Sequence, residues 1–400
     1  NKKSGWQGCN LTEINGGKCN TEEDFYKACR AASILGTLQA GYTDFKFLTD
    51  TSKLIFDREA LLGVSITGWM NNPDILFNER VLQKGAEIVK EVNKEVAKVI
   101  GINAAARTTC VKPSGNASVL LQTASGIHAE HSNMYIRNVQ MNKESEITQA
   151  IMKTNPYMVE DSVWSAGGTD VVVSFPILPK KGSLYKDDLL GVKHLELVKK
   201  AQKYWVEAGT NEDLCADKGV RHNVSNTIIV DDWDNVERYV FENRHSFAGI
   251  SFLAMSGDKD YNQAPNTAVI TAKDMVKKYG NAAIFASGMV VDALKVFNNL
   301  WDACATAKGF GEDISLETSE NAMKRDWIRR FKKFGDNYLN SDSDVAEHCL
   351  KDAYLLHKWN KIQSTLKTVD WKEDIKERKY TDVDTLAAAA CAGGACEIDF

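Results

Sequence analysis

Two thiols stand five residues apart near the end of the chain, in Cys391-Ala-Gly-Gly-Ala-Cys396, the second four residues before Phe400. Alanine and glycine between them let the sulfurs approach and close a disulfide without strain. A mobile dithiol of this kind suits a shuttle that attacks a buried disulfide and then swings out to an external reductant. An incidental pair is the plain alternative. Half of a metal site is another, but it needs two further ligands, and no His or other Cys lies nearby. A second feature is the loop Lys112-Pro113-Ser114-Gly115-Asn116-Ala117-Ser118. Its small residues let backbone N–H groups and hydroxyls converge on an anion, as phosphate cradles do, although Pro-Ser-Gly is equally an ordinary turn. Downstream, His128 and His131 stand three apart in Gly126-Ile127-His128-Ala129-Glu130-His131 without a third metal partner, so a hydrogen-bonded pair is the simpler reading. Cys9 sits in Gly8-Cys9-Asn10-Leu11-Thr12-Glu13-Ile14-Asn15, where spacing alone does not mark it as reactive. Residues 211–226 are polar around Cys215 and read as a loop or the rim of a site.

The elements that must position these groups alternate in type. Residues 21–40 read as a helix, and 79–100 as an amphipathic one with Val81, Gly85, Ile88, Val92, Val96 and Val99 on one face. A loop over 101–118 and the apolar Val119–Leu121 follow. The run 170–175 reads as a buried strand closed by Pro176, and 224–230 and 249–253 as further strands. Helices are expected over 185–208, 233–243, 283–306 and 318–362. Strands separated by helices imply crossover units and a largely parallel α/β sheet or barrel. Small side chains over 386–398 bury little area, so that tail is expected to be mobile.

Composition narrows the function classes. Over 400 residues, 49 Lys and Arg against 54 Asp and Glu leave a net charge of −5, without the basic excess of a non-specific nucleic-acid binder. Hydrophobic content of 44% with 26% charged residues marks a folded globular chain. No run reaches the roughly eighteen apolar residues of a membrane helix. Residues 1–30 lack a charged-then-apolar signal pattern, so a cytoplasmic location and reduced thiols are expected for the nine cysteines. The first residue is Asn1 rather than Met, so the chain is expected to be processed, spliced or cut from something longer.

Taken together, the segments resemble a known family. CNLTEIN at 9–15, TLQAGYTDF at 37–45, SITGWM at 65–70, KPSGNAS at 112–118, GIHAEHSNMYIRN at 126–138, VVVSFP at 171–176, HNVSNTIIV at 222–230 and the terminal Cys-x4-Cys follow the order found in ribonucleotide reductases. The combination is similar to the adenosylcobalamin-dependent (class II) enzymes, particularly the monomeric ribonucleoside-triphosphate reductase type. The resemblance implies the C-terminal part of a ten-stranded α/β barrel made of two antiparallel five-stranded halves, over residues 1–370 with helical additions, and a flexible redox tail over 371–400. It implies reduction of ribonucleotides to 2′-deoxyribonucleotides, the precursors of DNA, by a thioredoxin-dependent oxidoreductase that uses adenosylcobalamin.

Carried over by position, Cys9 resembles one of two reducing barrel cysteines. Pro113, Ser114, Gly115, Asn116, Ala117 and Ser118 resemble the loop that holds the substrate phosphates, and Cys391 and Cys396 resemble the shuttle pair. The family's radical cysteine lies in an Asn-x-Cys-x-Glu pattern that no cysteine here occupies. The resemblance therefore implies that this cysteine, the second reducing cysteine and the allosteric site lie upstream, on an N-terminal part that becomes a partner of this chain. No membrane or nucleic-acid partner is implied. A class I large-chain fragment fits less well, because class I tails usually carry a Tyr pair before the cysteines and 371–390 holds Tyr380 alone. A non-catalytic nucleotide-binding remnant and an unrelated α/β domain with a redox tail complete the alternatives. An idle dithiol is an oxidation liability, which counts against the remnant.

Overall fold

The computed structural model describes residues 5–215, 217–255, 263–280, 283, 286 and 343–371. In chain order these form β1 (Asn10–Asn15), α1 (Glu22–Ala40), α2 (Asp50–Glu59), β2 (Leu62–Thr67), α3 (Pro73–Leu76), α4 (Glu79–Ile100) and α5 (Gly115–Leu120). There follow β3 (Tyr135–Asn142), α6 (Glu146–Thr154), β4 (Val159–Asp161), β5 (Asp170–Ile177), α7 (Gly191–Ala201), β6 (Thr227–Val230), α8 (Trp233–Glu242) and β7 (Ser251–Ala254). The last are β8 (Asn266–Ala268), α9 (Ala272–Tyr279) and α10 (Ser343–Thr365). The chain divides into two compact units, one from residues 1–133 and 179–257, the other from 134–178 and 258–400. Among the described residues no helix is long and apolar enough to cross a membrane.

The first unit is built on parallel strands. β1 and β2 pair in parallel, as do β6 and β7. Single bridges join these pairs: Val64 to Thr109 and Val111 to Val224, both parallel. Backbone bonds from Val64 N–H to the Thr108 carbonyl (2.8 Å) and from Cys110 N–H to the Val64 carbonyl (3.0 Å) carry the line onward. Two more follow, from Val111 N–H to the Asn223 carbonyl (3.2 Å) and from Ser225 N–H to the Val111 carbonyl (2.9 Å). The result is one line of five parallel segments: β1, β2, residues 108–111, the Val224–β6 stretch and β7. The α/β class holds. The described strands form sheets of two, four and two members rather than a closed ten-stranded barrel.

One face of this line is apolar. Leu62, Val64 and Ile66 of β2 join Ile14, Val111 and Val224 in a core with Phe25, Val81, Leu82, Val89, Leu195 and Trp205 from the helices. Two helices seal it. Thr21 and Asp24 form a capping box on α1, and α4 runs from the Asn78 cap to Gly101 in the left-handed region (φ 75°). Gly85 lets the two helices approach, since a Cβ there would lie 2.6 Å from the Phe25 ring. Buried polar groups cross the same seam: Ser33 Oγ donates to the Val89 carbonyl, and Asn93 donates to Thr37 Oγ1 while accepting from Ala105 N–H.

The helix over 79–100 lies as expected, but Val99 is 85% exposed. The buried stripe runs through Val81, Leu82, Gly85, Ala86, Val89, Val92, Asn93 and Ala97, and two residues past Ala97 the helix presents its opposite side. The helix expected over 185–208 is α7 followed by a π-helical turn at Gln202–Glu207. A short helix, α5, occupies the end of the segment read as loop and most of the apolar run that follows.

The second unit is antiparallel, contrary to the expectation for its strand. β5 lies inside a four-stranded sheet of order β4-β5-β3-β8, and Pro176 pairs with Ile136 instead of closing the strand. Proline's missing N–H is tolerated where a ladder position needs no donor. Val171, Val173, Ile151 and Met158 pack with Ile362 of α10, and Asn155 grips both the N–H and the carbonyl of Lys367.

Candidate active site

The second face of the parallel line is polar, and its chemistry begins with an empty place. Gly63 has no side chain, and a Cβ there would stand 2.8 Å from Cys9 Sγ and 3.0 Å from Cys110 Sγ. Both sulfurs therefore converge over one backbone position, within about 6 Å of each other and short of bonding distance. Cys9 immediately precedes β1 and is half-buried; Cys110 follows the bridged Thr109 and is buried. The three belong to adjacent strands, so register alone brings them together.

His222, two residues before the Val224 bridge, completes the group. Its Nδ1–H donates to the Thr109 carbonyl (3.0 Å), because a carbonyl only accepts. That leaves the Nε2 lone pair facing Cys9 Sγ at 4.0 Å. Burial holds the His222 imidazole below its ordinary range, and the Thr109 bond only partly offsets this. Burial pushes the Cys9 thiol up to about 11, with Lys112 pulling the other way, and pushes Cys110 up to about 12, reinforced by Cys9. At neutral pH the group is two protonated thiols beside a neutral base. It can give up hydrogen and electrons, and it is not a standing thiolate nucleophile.

Glu13 ties the loop at 112–118 to this face. Ser114 donates its hydroxyl to Glu13 Oε2, and Ser65 donates to Oε1 at 3.4 Å while accepting from Lys112 N–H at 2.9 Å. Burial raises the Glu13 carboxyl, against the lowering effect of the two hydroxyls. Ser114 holds a left-handed backbone (φ 61°), a conformation serine adopts only when its surroundings fix it. Gly126 closes the loop from behind: its φ is 53°, and a Cβ would press on the Lys112 carbonyl. Of the predicted loop residues, Pro113, Gly115, Asn116 and Ala117 are exposed, while Ser118 is buried with its hydroxyl donating to the Gly115 carbonyl. The Ser114 hydroxyl is thus committed to Glu13 and the Ser118 hydroxyl to the loop itself, leaving the exposed residues 115–117 facing solvent. Replacing Glu13 with alanine is expected to cost about 1–2 kcal/mol and to speed hydrogen exchange of the 112–118 amides about tenfold. Unchanged exchange there would mean that the loop holds itself.

The histidine motif is structural at His128. Its Nδ1–H donates to the Ser125 carbonyl (3.0 Å) and its Nε2 accepts from Thr227 N–H (3.1 Å), fastening the segment to β6. Buried His194 stands edge-on to it at 6.3 Å and donates from Nε2 to the Ile127 carbonyl (2.9 Å). Burial takes His194 down to about 4, more than the Ile127 bond restores. The folded state thus binds the neutral ring, so its stability is complete above the ordinary value near 6.5 and declines as pH falls toward 4. Urea melts should show about 2 kcal/mol lost to this one group between pH 7 and pH 5. A His194→Gln variant should lack that share of the slope; an unchanged slope in the variant would refute the assignment. No group of three or more His, Cys, Asp or Glu among the described residues is arranged to hold a metal ion.

Cys391 and Cys396 lie outside the described residues. Cys9 and the 112–118 loop are brought together, through Glu13. Cys110, His222, Gly63 and Ser65 were not singled out from the sequence. The spacing Cys9-x-Leu11-x-Glu13 alternates as a strand should, but nothing local says which strand lies beside it. Cys215, in the polar stretch, is buried with its thiol on the Asn211 carbonyl, and that stretch contributes His222 instead.

No protein-family model matches the chain. A protein of Dictyostelium discoideum named "Probable adenosylcobalamin-dependent ribonucleoside-triphosphate reductase" is 28% identical over 205 residues, covering 50% of this chain and 26% of that protein. An adenosylcobalamin-dependent ribonucleoside-triphosphate reductase of Euglena gracilis is 25% identical over 206 residues, covering 50% of this chain and 27% of its own. The chain thus spans about a quarter of the length of the curated relatives it matches. Among solved structures, a B12-dependent (class II) ribonucleotide reductase superposes with a TM-score of 0.55 at 16% identity, over 66% of this chain and 39% of that one. The fold is shared with that structure, and the relatives carry the name of the family that the ordered motifs resemble.

Proposed function

We propose that the chain forms the C-terminal part of an adenosylcobalamin-dependent ribonucleoside-triphosphate reductase. Its five parallel segments then supply the second half of the ten-stranded barrel, and 371–400 supplies the redox tail. The observation that carries this reading is the meeting of Cys9 with the Glu13-anchored 112–118 loop on one polar face, in a chain whose relatives bear that name. Adenosylcobalamin, when bound, supplies the initiating radical. The donor set here fits such a cofactor, since neutral thiols are the hydrogen and electron source that radical chemistry consumes. No described residue is assigned to the corrin.

In this reading Pro113 to Ser118 hold the triphosphate at the exposed first turn of α5, where backbone N–H groups are free of an intrahelical partner. The 2′ hydroxyl leaves as water and a hydrogen takes its place at C2′; the two electrons and two protons this consumes come from Cys9 and a partner thiol, which become a disulfide. His222 Nε2 is placed to receive the proton from Cys9. Cys391 and Cys396 then reduce that disulfide by exchange, and thioredoxin reduces them in turn. The radical cysteine is supplied by an N-terminal part of the reductase. A cytoplasmic location accords with these thiols being kept reduced.

The test is formation of dCTP from CTP with adenosylcobalamin and dithiothreitol, by this chain alone and together with the N-terminal part. Turnover in the mixture that disappears without adenosylcobalamin is the expected result. Turnover that needs a separate metal-radical subunit would assign the chain to class I. No turnover under either condition would leave a nucleotide-binding remnant.

A further inference from the structure

We infer that Cys110 is a second redox thiol of this site, which closes a disulfide with Cys9 across Gly63 when the protein meets an oxidising disulfide. The inference rests on geometry in one unit and does not require the reductase reading. Cys110 is buried and its thiol has no described polar partner, yet its sulfur lies over a strand position that has no side chain, Gly63, where Cys9 Sγ also converges. Any residue but glycine at position 63 would press on both sulfurs.

Access and flexibility are divided between the two. Cys9 is half-buried and lies one residue before the first paired position of β1, so its backbone is free of the ladder on one side. Cys110 is fixed inside the line, its N–H donating to Val64 and its carbonyl accepting from the Trp205 indole N–H (3.0 Å). Cys9 is thus the thiol that reaches an outside disulfide and moves; Cys110 is the one that waits. The base for the first step is His222, whose Nδ1–H is committed to Thr109 and whose Nε2 faces Cys9 Sγ.

The exchange balances in two steps. The proton of Cys9 passes to His222 Nε2, and Cys9 Sγ attacks one sulfur of oxidised glutathione, breaking its S–S bond. A mixed disulfide forms and one glutathione leaves as thiolate, taking up a proton. Cys110 then attacks Cys9 Sγ, breaking the mixed disulfide, and the second glutathione leaves as a thiolate that takes up the proton Cys110 gives up. Two protein thiols have been oxidised by two electrons, and one glutathione disulfide has been reduced to two thiols.

The experiment treats the full chain with oxidised glutathione at pH 7.5, quenches with acid at intervals and maps disulfides by peptide mass spectrometry. In the unaltered chain, a peptide joining Cys9 to Cys110 should accumulate as the glutathione adduct on Cys9 disappears. In Cys110→Ser the adduct should persist, and in His222→Gln it should form at least tenfold more slowly at this pH, with the difference shrinking toward alkaline pH. Far-ultraviolet circular dichroism and melting temperature establish that each variant is folded. A stable Cys9 adduct in the unaltered chain, or a Cys9 disulfide to any cysteine other than Cys110, overturns the proposal. Loss of ribonucleotide reduction has no bearing on it, because the readout is the bond itself.

Discussion

Cys9→Ser should lower deoxynucleotide formation in the reconstituted mixture by about a thousandfold or more while leaving the fold intact. Serine is nearly isosteric, so the packing around position 9 survives, although its oxygen stands too far from His222 Nε2, which is 4.0 Å from the Cys9 sulfur, to bond it directly. What it loses is the ability to be oxidised to a sulfur–sulfur bond, the step by which the proposed site delivers its two electrons. The measurement is dCTP formed per chain over many cycles, with melting temperature as the control. Retention of more than a tenth of the activity would remove Cys9 from the reducing role. The raised thiol adds a pH signature: because burial holds Cys9 protonated to about 11, the hydrogen it carries should remain available across the neutral range.

Trp205→Ala should cost about 3–5 kcal/mol of stability, the range for deleting a large buried aromatic side chain. Trp205 is completely buried in the π-helical turn, its ring 5.9 Å from that of Phe25. Its indole N–H donates to the Cys110 carbonyl, and its own carbonyl accepts from Thr109 Oγ1 at 2.7 Å. The side chain therefore fills the core and fastens the very strand that carries Cys110. Trp205→Phe keeps most of the volume but strands a buried carbonyl, and should cost about 1–3 kcal/mol. Urea denaturation of the two variants gives both figures. A loss under 1 kcal/mol for Trp205→Ala would show that the helix collapses onto the sheet without it.

How much could be read in advance depended on whether the signal was local. The α4 helix was legible at both ends because its cap, Asn78, and its stop, Gly101, stand in sequence beside its apolar stripe. β2 was not read as a strand, because LGVSIT is buried throughout and shows no alternation. The direction of β5 was hidden for a different reason. DVVVSF announces a strand, but its antiparallel partner β3, YIRNVQMN, is polar and half-exposed and announces little. The ordered motifs carry the expectation that Cys9 and the 112–118 loop belong to one reductase-like site. They could not show Cys110 or His222 at Cys9, since those contacts span 101 and 213 residues and exist only through strand register.

The strand line also dictates an order of events during synthesis. Residues 108–111 find their next neighbour at Val224, and between them the ribosome must make the whole 134–178 stretch that folds into the other unit. At about 5–20 residues per second, the edge bearing Cys110 waits on the order of ten seconds for its partner to emerge. During that interval both the core beneath β2 and the unpaired edge are open to solvent and to other chains. The nascent chain therefore carries an aggregation-prone edge until Val224 emerges. Slower translation across 112–223 would lengthen that exposure, and a holdase would act best there.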